Sequence, residues 1–172
     1  MSRPEILFPL FAPVSALSGV GPRIAKLIEK AAGPHVVDLL WHRPVGIIDR
    51  RFAPLIGDAP DGVIATITVT VGAHAPSHNK RMPYRVSCHD DSGEMQLVFF
   101  HGREDYLRKT LPEGEQRIVS GRVEHFRGDV QMTHPDHIAP LDERESLQAV
   151  EPVYPLTAGL THKTCAKAVR AA

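Results

Sequence analysis

Two cysteines in 172 residues, Cys88 and Cys165, are too few and too far apart to staple a disulfide scaffold, so a packed core must hold the chain. Neither sign of charge is in excess: Lys plus Arg and Asp plus Glu both total 20 and the net charge is zero. That excludes coating of nucleic acid by bulk charge and leaves room only for local basic patches. No apolar run approaches the roughly 18 residues that a membrane-spanning helix needs. The opening "MSRPEILFPLF" is interrupted by Pro9 and lacks the apolar region and cleavage site of a secretory signal. The expectation is a cytoplasmic protein. Phosphate-loop chemistry is missing too, because "GVGPR" has no following Gly-Lys-Ser/Thr. There is no nucleophile elbow and no supported pair of carboxylates. His134 with His137, and His162 with Cys165, have zinc-like spacing, but Pro135 interrupts the first pair and both lie in loop-like sequence, so no metal is expected.

What is present is an ordinary globular composition, 42% hydrophobic and 23% charged, enough for one domain or a small one with an appendage. Composition divides the chain into a helical region over residues 1–58, a β region over 59–142 and a linker over 143–172. In "LSGVGPRIAKLIEKAAG" Pro22 suits a first helical turn, Ile24, Leu27, Ile28 and Ala31 share a face, and Gly33-Pro34 ends the helix. A short second helix in "VVDLLWHRP" completes a hairpin. Gly19 and Gly21 in its turn have two readings. They permit a tight helix–helix connection, or they form a helix-hairpin-helix-like site where backbone N–H groups receive a DNA phosphate.

The β region alternates. Val63, Ala65, Ile67, Val69 and Val71 fall on one face of a first strand, and Tyr84, Val86 and Cys88 on one face of a second. "DSG" is a tight turn into a third strand, "EMQLVFF". A short helix over "REDYLRKTL" precedes strands four and five, joined at Arg127-Gly128. Three strands, a helix and two strands is the order of a five-stranded OB-fold barrel, preferred over an SH3-like barrel or a sandwich because of that helix. Gly121 inside the fourth strand suits a barrel corner.

The third strand ends on adjacent rings. Met95, Leu97 and Phe99 share a wholly apolar face, whereas Phe100 shares a mixed one with Glu94, Gln96 and Val98. Since neighbouring strand residues face opposite ways, Phe99 should enter the core and Phe100 should leave it. Oligonucleotides bind OB-folds on the face of strands two and three and on flanking loops, where an exposed ring stacks a base. The alternative is that Phe100 packs under a neighbouring helix. Tyr106, on the short helix, is either a second platform or a core residue, and by itself reads as core. Lys80 and Arg81 in the first loop, Arg85 in the second strand and Arg103 beside the short helix are the candidate phosphate contacts.

In order along the chain, "LSGVGPRIAKLIEK", "DLLWHRP", "IDR", "LVFFHG", "VSGRVEHFRGDVQMTHP" and "EPVYPLTAGLTHKT" resemble the N-terminal part of the RecG family of bacterial branch-migration helicases. The resemblance implies an OB-fold wedge, followed in the same polypeptide by two motor domains that use ATP and Mg²⁺. It implies branched DNA, both forks and Holliday junctions, and single strands as partners, and aromatics that stack on bases where strands part. Phe99 and Phe100 fall on those aromatics, with Tyr106 a weaker match. The expected function is splitting strands at forks and Holliday junctions for the helicase in repair and recombination. A free-standing single-strand-binding OB-fold and a protein-docking module are the competing readings. No motor motif occurs up to Ala172, so the chain is expected to be a monomeric wedge without cofactor or ATPase activity of its own. Two departures from the family pattern stand out. Val45-Gly46 replaces a basic pair, although Asp49 and Arg50 match, and His35 stands where a capping Thr is common, which should blur a helix start.

Overall fold

The structure is a computed structural model describing residues 4–76, 82–147 and 150–172. Along the chain come α1 (Pro22–Ala31), α2 (Val36–Trp41), β1 (Gly46–Asp49), β2 (Ile64–Ala75), β3 (Tyr84–Asp90), β4 (Gly93–Phe99) and α3 (Glu104–Thr110). They are followed by β5 (Gln116–Phe126), β6 (Asp129–Thr133), β7 (His137–Ala139), α4 (Arg144–Leu147), β8 (Val150–Val153) and α5 (His162–Ala171). Two compact units result. One joins the chain up to Ile48 with Pro152–Ala172, and the other is Asp49–Glu151.

The second unit is a closed barrel. Hydrogen bonds run in the order β2-β3-β4-β6-β5, and β5 returns to β2. The β4–β6 pairing is parallel, while β2–β3, β3–β4, β5–β6 and β2–β5 are antiparallel. β7 pairs antiparallel with Ile118–Ser120 of β5, a stretch that also pairs with β2. The expected alternation fills the interior: Ala65, Ile67, Val69, Val71, Tyr84, Val86, Cys88, Met95, Leu97 and Phe99 form one buried cluster with Leu107 and Leu111 of the α3 segment. Gly121 sits where β5 passes from β2 to β6. A Cβ there would approach Met132 Sδ to 2.9 Å and Pro135 Cα to 3.2 Å, so any side chain at this corner would force its neighbours to shift.

Polar groups fix the barrel's ends. His74 Nε2 lies 2.8 Å from the Leu111 carbonyl and Nδ1 lies 2.7 Å from the Tyr84 hydroxyl. A carbonyl only accepts, so Nε2 carries a proton and donates to it, while Nδ1 shares a hydrogen bond with the tyrosine hydroxyl. At the β3–β4 turn, Asp90 Oδ1 accepts the Ser92 N–H (2.8 Å), the Ser92 hydroxyl (2.6 Å) and the Gly93 N–H (3.1 Å), while Oδ2 accepts the Ile56 N–H (2.8 Å). Burial works to raise the Asp90 pKa, but these hydrogen bonds outweigh it and hold the carboxyl below its usual value.

The basic pair Arg50-Arg51 divides. Arg51 is exposed and bridges Asp49 at 2.6 Å. Its side-chain and backbone hydrogen bonds hold the Asp49 pKa at about 2. Arg50 is only 3% exposed, with Nη1 donating to Ser120 Oγ (3.2 Å) and Asp136 Oδ2 (3.1 Å), and Nε donating to Glu151 Oε2 (3.2 Å). Its guanidinium fork ties the start and the end of this unit to β5 and the loop before β7.

The secondary structure differs from the sequence reading in three ways. The expected linker over 143–172 contains β8 and α5, and Leu160, Cys165 and Ala168 are buried with Val14, Val20, Ala25, Ile28 and Leu39. Thr161 caps α5, its hydroxyl accepting the Thr164 N–H. The start of α2 is also sharp despite His35, because Asp38 Oδ2 accepts the His35 N–H at 2.8 Å. The short strands β1, β7 and β8 lay outside the sequence expectation, and β1 and β8 pair with each other.

Candidate nucleic-acid interface

The two phenylalanines separate as the strand parity requires. Phe99 is 7% exposed and belongs to the barrel core. Phe100, one residue past the end of β4, is 51% exposed. Val98, expected on the mixed face with Phe100, is buried as well, so that face is drier than its sequence suggests. Phe99, carried among the stacking candidates by the resemblance, has no free face in this fold.

Register and chain order bring the described candidates to the same end of the barrel. Tyr84, the first residue of β3, pairs with Phe99, and Arg85 pairs with Val98. The loop between β2 and β3 therefore enters and leaves at this end, since Ala75 pairs with Arg85. Lys80 and Arg81 belong to that loop and lie outside the described residues. Arg85 is half-buried, and Arg103 is exposed and precedes α3. Tyr106 is 63% exposed, so α3 buries Leu107 and not Tyr106 in the core, against the expectation from the residue alone. The turn from Phe100 to α3 packs tightly: a Cβ on Gly102 would lie 2.5 Å from Leu107 Cδ1 and 3.0 Å from Phe99 Cβ.

His134 joins this end without having been expected there. In the parallel β4–β6 register Val98 pairs with Thr133, which brings the next residue, His134, beside the end of β4. Its Nε2 accepts the Phe100 N–H at 3.2 Å. The only sequence signal was its place at the end of the expected fifth strand, "DVQMTH", and parallel pairing is not readable from local pattern. The hairpin tip between β5 and β6 carries another exposed ring, Phe126, with the Arg127 guanidinium 5.2 Å from its centre. Because Asp129 follows that tip and Val130 pairs with Met95, it belongs to the opposite end of β4.

Gly19 and Gly21 lie in the helical unit. Gly19 has φ of 80°, and Gly21 is the N-cap of α1 with no side-chain cap bond. A cavity of about 270 Å³ is lined in part by Ser18, Gly19, Lys163, Thr164 and Lys167. Of the residues weighed for metal, Cys165 is buried and His134 is engaged with Phe100. Among the described residues no helix is long and apolar enough to cross a membrane.

The closed strand order with its parallel β4–β6 pair and α3 between β4 and β5 makes the second unit an OB-fold barrel whose rim carries exposed aromatics. The chain as a whole belongs to the RecG wedge domain family, whose model matches residues 13–172. It is similar to the ATP-dependent DNA helicase RecG of Escherichia coli (strain K12), 29% identical over 157 residues that cover 90% of this chain and 22% of that protein. It is also similar to the ATP-dependent DNA helicase RecG of Aquifex aeolicus, 29% identical over 126 residues covering 73% of this chain and 16% of that one. A solved structure of RecG bound to a three-way DNA junction superposes with a TM-score of 0.78 at 22% identity, over 99% of this chain and 23% of its own. That likeness is one of fold. The chain spans 22% and 16% of the length of the Escherichia coli and Aquifex aeolicus relatives.

Proposed function

We propose that this chain is the branched-DNA-binding wedge of a RecG-type helicase, placed where strands part at forks and Holliday junctions, while motor domains of the same polypeptide would supply ATP-driven movement. The observation that carries this reading is Phe100, an exposed ring on the rim of an OB barrel at the end of the strand pair that OB-folds use for oligonucleotides. A base at the parting point would stack on that ring. Arg85, Arg103 and the Lys80–Arg81 loop would neutralise phosphates beside it, and Tyr106 is available as a second ring. With zero net charge, binding rests on a few local contacts and is salt-sensitive. No residue of the chain is assigned a catalytic role.

The test is a titration of the chain with a fork, a three-way junction, the matching single strand and the matching duplex at fixed salt. Preference for the branched substrates supports the wedge. Equal affinity for single strand and fork would favour the free-standing OB-fold reading, and no affinity for any DNA would favour protein docking. Changing Lys80 and Arg81 to Ala should flatten the slope of log K against log salt by up to about two units.

A further inference from the structure

Phe100 lies beyond the last residue of β4, so the strand ladder does not hold it. His134 does. Its backbone sits at φ of 48°, a left-handed conformation that is uncommon for residues with a side chain, although histidine is among those that adopt it more often. Its own N–H donates to the Val98 carbonyl at 2.9 Å, which anchors it beside the end of β4. From there Nε2 accepts the Phe100 N–H, and the imidazole stands 5.8 Å from the Phe100 ring at 33° and 6.0 Å from the Phe99 ring at 89°. One side chain thus touches the buried ring edge-on, backs the exposed ring and binds the exposed residue's backbone. The acceptor must have a free lone pair, so the imidazole is neutral with its proton on Nδ1.

We infer that His134 is a positioning residue for Phe100: it fixes the backbone and ring orientation in which Phe100 meets a base. The inference rests on the reading of Phe100 as a stacking platform. Its physical content is preorganisation. A ring held before the DNA arrives has less motion to lose on binding than one on a free turn.

The experiment uses the chain with a fork carrying 2-aminopurine at the first unpaired base, whose fluorescence reports stacking. His134→Ala, His134→Gln and His134→Phe share the same cost at the left-handed backbone position, so comparing them isolates the side chain. Thermal melts of each fix the folded fraction. His134→Ala should weaken fork binding about 3- to 10-fold and reduce the 2-aminopurine response. His134→Gln, which offers an acceptor at similar reach, should recover most of both. His134→Phe, which keeps a ring and loses the acceptor, should not. In a Phe100→Ala background, adding His134→Ala should change fork affinity by less than about twofold, because nothing remains to be positioned. An additive loss in that background, or rescue by Phe equal to that by Gln, would overturn the inference. If Phe100→Ala weakens binding while His134→Ala does not, the positioning role alone falls. If Phe100→Ala itself changes nothing, the stacking platform falls and the positioning role with it.

Discussion

The barrel and the helical unit draw their cores from the chain in opposite ways. The barrel fills its interior from one continuous stretch, with inward residues spaced two apart, so its core could be named strand by strand from alternation. The helical unit closes over Val14, Ile28 and Leu39 with Leu160, Cys165 and Ala168, which lie more than a hundred positions away in sequence. The ten-residue helix α5 buries only small side chains, Cys165, Ala166 and Ala168, and its neighbours Pro155 and Gly159 look like linker. Local pattern reports which face of an element is apolar. It does not report what covers that face.

The largest expected effect is in the barrel. Phe99→Ala should cost about 3–5 kcal/mol, since it empties a core site between β3, β4 and α3. Chemical denaturation checks it, and a loss below about 1 kcal/mol would mean that the strand register is displaced by one residue. Next comes the helical unit. Leu160→Ala should cost about 2–4 kcal/mol and speed amide exchange in α1 and α5. A negligible cost would return residues 143–172 to the linker that composition suggested and erase the contrast between the units.

Arg50→Ala should cost about 1–3 kcal/mol, by leaving Asp136, Glu151 and Ser120 without their shared donor. Arg50→Lys should restore little, because an ammonium cannot reproduce the guanidinium fork. Equal stability of the Lys variant and wild type would show that charge alone suffices there.

A smaller, pH-dependent effect belongs to Asp90. Its pKa is lowered in the folded chain, so its stabilisation is present above the unfolded value of about 3.9 and is lost as pH falls through the folded one. Asp90→Ala should cost about 1–2 kcal/mol at neutral pH and flatten the fall in melting temperature below about pH 4. An unchanged acid limb would remove this turn from the account.

The candidate site was partly legible for the same reason as the barrel. Strand parity separated Phe99 from Phe100, because adjacent strand residues must face opposite ways. Tyr106 misled, since a short helix offers too few turns to define a face, and Leu107 takes the buried position. Arg50 is one of two adjacent arginines, and nothing local announces acidic partners at Asp136 and Glu151. His134 was invisible because it reaches Phe100 through a parallel strand pairing, set by barrel closure and not by neighbouring residues.

The central claim is that two adjacent rings have separate tasks, one filling the barrel and one meeting DNA. The most direct measurement is the fork affinity of Phe100→Ala against wild type, with a thermal melt of each. The account predicts a folded variant, within about 1 kcal/mol of wild-type stability, that binds the fork about 5- to 150-fold more weakly, equivalent to ~1–3 kcal/mol for one lost base stack. Unchanged fork affinity in a fully folded variant would contradict it.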